Sequence, residues 1–177
     1  MPVKHAPERV TELLPRAVFH TSFFAGMNVL FAFLHHLCFL AIMLVLSFEM
    51  LALKQPLTLQ SAARIRRYDA IYGVAALLVL LIGGLRVMYF EKGAYYYMHS
   101  APFMAKIALF VAVGLISIYP TLTFLKWNKS IRQGIALALS ESQGRTLRIV
   151  IHVELTLLAL MLLCAAMMAK GIGYIDA

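Results

Sequence analysis

Hydrophobic positions in this chain fall into four long blocks, at about 27–53, 70–90, 103–125 and 149–169. Within each block apolar residues occupy every side of a helix, leaving no polar face for water. Each block meets the roughly 20 residues needed to cross a hydrocarbon core of about 30 Å. Hydrocarbon offers no hydrogen bonds to an open backbone, so such spans are helical. The first block is long enough to tilt or protrude. Short connections favour antiparallel neighbours. The pattern predicts an all-α polytopic membrane protein, a four-transmembrane-helix up-down bundle, whose first partner is the lipid bilayer.

Charge separates the two ends of that bundle. Of the 177 residues 62% are hydrophobic and 14% charged, against roughly 45–50% and about 25% in soluble domains. The net charge is +8, and its placement argues against nucleic acid. Lys54, Arg64, Arg66 and Arg67 crowd the first connection, and Lys126, Lys129, Arg132, Arg145 and Arg148 the third. The middle connection has only Glu91, Lys92 and His99. The positive-inside rule then puts the first and third connections in the cytoplasm. Both termini and the middle loop then lie on the outer side of the membrane. Tyr89, Phe90, Tyr95, Tyr96 and Tyr97 suit the outer interface, and Trp127 the cytoplasmic end of the third span.

The remaining segments read differently. Residues 1–26 form an outer-side N-terminal segment, distinct from a membrane domain at 27–177. Its charges, among them Lys4, Glu8, Arg9, Glu12 and Arg16, interrupt any signal-peptide core. Pro2, Pro7 and Pro15 are expected to prevent a long helix, leaving 8–14 as an amphipathic turn on the surface. Residues 130–144 are expected to form a second interfacial helix, with Ile131, Ile135, Leu137 and Leu139 toward lipid. Cys38 and Cys164 lie singly inside apolar blocks, which excludes a disulfide framework and a paired-thiolate zinc site.

Ionisable groups inside spans are costly and mark functional sites. An outer set comprises His35, His36, Arg86 and Lys106. At about 1.5 Å per residue, all four fall in the outer half, on three helices. His35 and His36 are about 100° apart, so only one faces the bundle. Imidazole is an axial ligand of haem iron, and the two cations can pair with propionates. The plainer reading is that Arg86 and Lys106 snorkel to the interface and that the histidines are packing residues. An inner set comprises Glu49, Asp69, His152 and Glu154. Glu49 is within about 40° of the His35 face and can reach Arg64, Arg66 or Arg67. His152 and Glu154 are about 200° apart and do not share a site. This set reads as ion pairs fixing helix ends, or as a proton entry path.

Small residues should set helix approach. Gly73, Ala76 and Gly83 are placed on one face of the second span, extended by Asp69. Lys106, Phe110, Val113, Ser117 and Pro120 form a stripe on the third. The familiar nucleotide-binding, metalloprotease and nucleophile-elbow motifs are absent.

Several runs are distinctive: Arg67-Tyr68-Asp69-Ala70-Ile71-Tyr72-Gly73, Gly83-Gly84-Leu85-Arg86-Val87, Phe90-Glu91-Lys92-Gly93, Phe103-Met104-Ala105-Lys106-Ile107-Ala108-Leu109-Phe110, Ser117-Ile118-Tyr119-Pro120-Thr121, and Met168-Ala169-Lys170-Gly171-Ile172-Gly173-Tyr174. From about Leu30 onward they resemble bacterial membrane proteins of the domain of unknown function 2214 family, which implies no particular activity. A remoter likeness is to the small membrane protoporphyrinogen oxidases, in the pairing of an early histidine, here His35 or His36, with a later Lys106. That likeness implies b-type haem on such a histidine. Two adjacent histidines and different surrounding motifs set this chain apart from that pattern. The leading expectation is a haem b protein of electron transfer or redox chemistry, with His35 or His36 on iron and Arg86 and Lys106 at the propionates. The alternatives are an accessory subunit packed against a larger membrane complex, or a small proton-coupled transporter or channel, which would need to homo-oligomerise.

Overall fold

The computed structural model describes residues 9–90, 94–135, 137 and 139–175. Its elements are α1 (Arg9–Ala52), α2 (Leu59–Leu85), a π turn (Arg86–Phe90), the short α3 (Ala94–Met98), α4 (Ala101–Gln133) and α5 (Glu141–Ala169). Gly26–Ala52, Leu59–Tyr89, Ala101–Gln133 and Glu141–Ala169 are each long and apolar enough to cross a membrane. Packing is tightest between α1 and α2 and between α4 and α5; α2 with α4 and α1 with α5 close the ring. The bundle buries apolar side chains and also exposes them. Leu46, Ile65, Phe124, Leu147 and Ile151 sit inside, while Phe33, Leu44, Leu77, Leu81, Leu115 and Leu163 form an outer belt. Such a belt requires lipid, because water would penalise it over every helix.

The helix ends follow from local chemistry. Thr58 caps α2 through a reciprocal box: its hydroxyl accepts from the Ser61 N–H (3.1 Å) and Ser61 Oγ from the Thr58 N–H (2.8 Å). Ser140 and Gln143 do the same for α5, at 3.2 and 3.3 Å. Gly134 ends α4 in the left-handed conformation (φ 66°) that glycine adopts freely. The C-terminus of α1 has no basic residue of its own. Arg148 of α5 supplies one, donating to the Leu53 carbonyl at 3.2 Å.

Several expectations are corrected. α1 starts at Arg9 and runs through Pro15 into the first span, so no separate surface turn covers 9–14. A lone proline removes one hydrogen bond and does not stop a helix flanked by good helix formers. Pro2, Pro7 and Glu8 lie outside the described residues. Among the described residues no interfacial helix covers 130–144, since α4 ends at Gln133 and α5 begins at Glu141. Ile131, Leu137 and Leu139 pack against the core instead of lipid. Trp127 is buried against Phe124, with ring centres 5.0 Å apart, and is not an interface anchor. Arg64, Arg66 and Arg67 belong to α2 itself, which begins well before residue 70.

At the end opposite the arginines, the chain is clasped. Ser100 bridges Tyr174, the Ala101 N–H donates to the Gly173 carbonyl (3.0 Å), and the Ile175 N–H to the His99 carbonyl (2.9 Å). Tyr96 stacks on Tyr174 at 4.7 Å. Gly173 has φ 79°, and a β-carbon there would lie 2.8 Å from Pro102 Cδ, so only glycine fits.

Candidate functional site

Two polar clusters lie inside the bundle, separated by an apolar layer of Phe39, Ile42, Ala75, Val79, Val113, Leu158 and Met161. The fourteen residues from His35 to Glu49 rise about 21 Å, so the clusters belong to opposite halves.

The tyrosine-rich half holds His35, Arg86 and Lys106. α1 turns His35 inward (9% exposed) and His36 outward. The His36 ring sits edge-on to His35 at 6.1 Å, and its Nδ1 bonds the Ala32 carbonyl at 2.6 Å. His36 is therefore apart from the cluster. His35 rests on α2 where Gly83 leaves room: a β-carbon at that position would lie 3.0 Å from its Cε1. The Val79 backbone lies within hydrogen-bonding reach of the ring. The buried His35 Nδ1 has no hydrogen-bond partner among the described residues. Lys106 from α4 and Arg86 are the charged neighbours of His35. Cys164 from α5 adjoins Lys106, so all four long helices contribute. By sequence Cys164 is only a lone cysteine inside an apolar block, although its depth matches that of Lys106. It lies as far from the end of α5 as Lys106 from the start of α4.

The arginine-rich half gathers Glu49, Asp69 and Glu154, all buried. His152, expected with them, is exposed on the outer face of α5. The ion pair is also reassigned. Arg66 Nη1 reaches Asp69 Oδ2 at 3.4 Å and not Glu49. Arg66 Nε donates to Asn128 Oδ1 (3.0 Å), and Thr121 Oγ1 donates to Asp69 Oδ1 (2.7 Å). Tyr72 faces Glu154, Glu49 and Asp69. Its spacing of three from Asp69 put it on the same face, a signal the sequence carried. The α4 stripe is as expected, with Val113 and Pro120 buried and Lys106, Phe110 and Ser117 half-buried. On α2, Gly73 is exposed, away from the face of Asp69.

Among the described residues, no three His, Cys, Asp or Glu side chains converge as a site for a bare metal ion. A haem brings its own equatorial nitrogens and asks the protein for axial ligands only. A buried imidazole with a free nitrogen, flanked by two cations, fits that smaller demand.

No curated protein and no solved structure matches the chain, so the likeness to the protoporphyrinogen oxidases has no counterpart there. One family profile, described as "Predicted membrane protein (DUF2214)", matches residues 27–173. That stretch takes in the four apolar blocks and every residue of both clusters, and the chain belongs to this family of predicted membrane proteins.

Proposed function

We propose that this membrane protein binds one b-type haem in its tyrosine-rich half and serves in electron transfer or redox chemistry. The observation that carries the reading is the unpartnered, buried Nδ1 of His35. A polar atom stranded in a lipid-shielded interior is costly, and coordination to iron would satisfy it. The Val79 backbone lies within reach of the ring, and such a contact is the usual means of fixing a ligand imidazole's orientation. Gly83 lets the ring lie close to α2. Lys106 and Arg86 provide positive charge for two propionates. A haem held there would supply one-electron exchange, while the protein sets its orientation and surroundings.

The test is an absorption spectrum of the protein purified from haem-replete cells. A Soret band is expected, lost in His35→Ala and kept in His36→Ala, whose ring points outward. Absence of the band, or its survival in His35→Ala, would end the proposal. Purification as a lone, spectrally active protein would also separate this reading from that of an accessory subunit.

The charge distribution supports an orientation with the arginine-rich end in the bacterial cytosol. Reporters fused at either terminus are then expected to signal from the periplasm. A cytosolic signal from both would reverse the assignment.

A further inference from the structure

The arginine-rich half contains chemistry that a haem at His35 leaves unused. Glu49 from α1, Asp69 from α2 and Glu154 from α5 are charged neighbours of one another. Asp69 is well provided for, with the Thr121 hydroxyl on one oxygen and Arg66 on the other. Glu154 is not. It is 0% exposed, and neither of its carboxyl oxygens has a hydrogen-bond partner among the described residues. Glu49 is 2% exposed, and its Oε1 is likewise unpartnered.

Ionised carboxylates in that position would stand in a medium that solvates none of them. One proton changes the arrangement. It removes a charge that the buried site cannot solvate. A hard metal cation is a poorer occupant, because such ions take about six oxygens or more. No metal-binding group of three such side chains forms here among the described residues.

We infer that Glu154, with Glu49 and Asp69 as its acidic neighbours, holds an exchangeable proton, making this cluster an intramembrane proton-binding site. The groups facing it from each helix are consistent. α2 presents Asp69 and Tyr72, with Arg66 beyond them. α4 presents Thr121 and Ser117, neither of which titrates. On α5, His152 points outward and Arg148 is turned to the Leu53 carbonyl. Arg66, bound to Asn128 and Asp69, stands between the cluster and the arginine-rich end. It is 21% exposed at the arginine-rich end, where water would meet the network. Proton exchange is therefore expected from that side. This inference stands on the carboxylates alone and is independent of the haem reading.

The experiment labels the full chain in native membranes with dicyclohexylcarbodiimide, an apolar reagent that attacks protonated carboxyl groups, and locates the adduct by mass spectrometry. Modification of Glu154 or Glu49 is expected at neutral pH, declining as pH rises. A water-soluble carbodiimide should leave both untouched, and sodium should give no protection. Infrared spectra of the unmodified protein should show a carboxylic C=O band that shifts in D2O and is missing in Glu154→Gln. The inference is overturned if the folded protein shows neither adduct nor band at any pH, or if sodium blocks the labelling. The infrared measurement on wild-type protein keeps the test decisive even if Glu154→Gln misfolds.

Discussion

Replacing Phe124 by alanine is expected to destabilise the bundle by about 3 kcal/mol, the low end of the range for a buried phenylalanine. Phe124 is fully enclosed and packs against Trp127. In a soluble core some of that cost comes from returning the ring to water. Here the separated helix still sits in an apolar medium, so most of the loss is the void left behind and its missing contacts. The neighbouring Leu125 is 43% exposed toward lipid, and Leu125→Ala should cost about 0.5 kcal/mol or less. Thermal or SDS-induced unfolding in detergent compares the two. Equal losses would mean that α4 is rotated from the orientation described.

A second large effect is expected at Asp69. Asp69→Ala strips Thr121 of its acceptor and Arg66 of its carboxylate partner, and leaves the guanidinium among buried groups. Removing one partner of such a network is worth about 2–3 kcal/mol, and Arg66 can recover some of it by reaching water. Asp69→Asn keeps an acceptor for Thr121 and gives up only the charge, so it should fall between wild type and Asp69→Ala in the same unfolding assay. If Asp69→Ala melts with the wild type, the network contributes nothing to stability.

Much of the architecture was legible because lipid imposes a simple demand on length and hydropathy. The four spans, the inward stripe from Lys106 to Pro120 and the separation of two polar sets all follow from spacing along single helices. The misreadings arose where one helix cannot report on another. Nothing local distinguishes His35 from His36; the deciding feature is Gly83, on a different helix, which offers space to one of them. Similarly, Glu49 lay within reach of three arginines along the chain, yet Arg66 is taken by Asp69 and Asn128. Charges at helix ends caused a different error. Arg64, Arg66 and Arg67 looked like a loop because they are polar, whereas α2 continues through them beyond the hydrocarbon. The glycine at 134 carried the stop signal that the apolar residues around it obscured.

The fastening at Ser100, Ala101, Gly173 and Tyr174 has a mechanical consequence. It joins the open end of the α4–α5 hairpin, opposite its turn, so α4 and α5 must move as a single lever at the mouth nearest His35. The remaining freedom lies in the looser seams, α1 against α5 and α2 against α4. A flat, bulky guest arriving sideways from the bilayer would have to open a seam of that kind, prising two hairpins apart without splitting either.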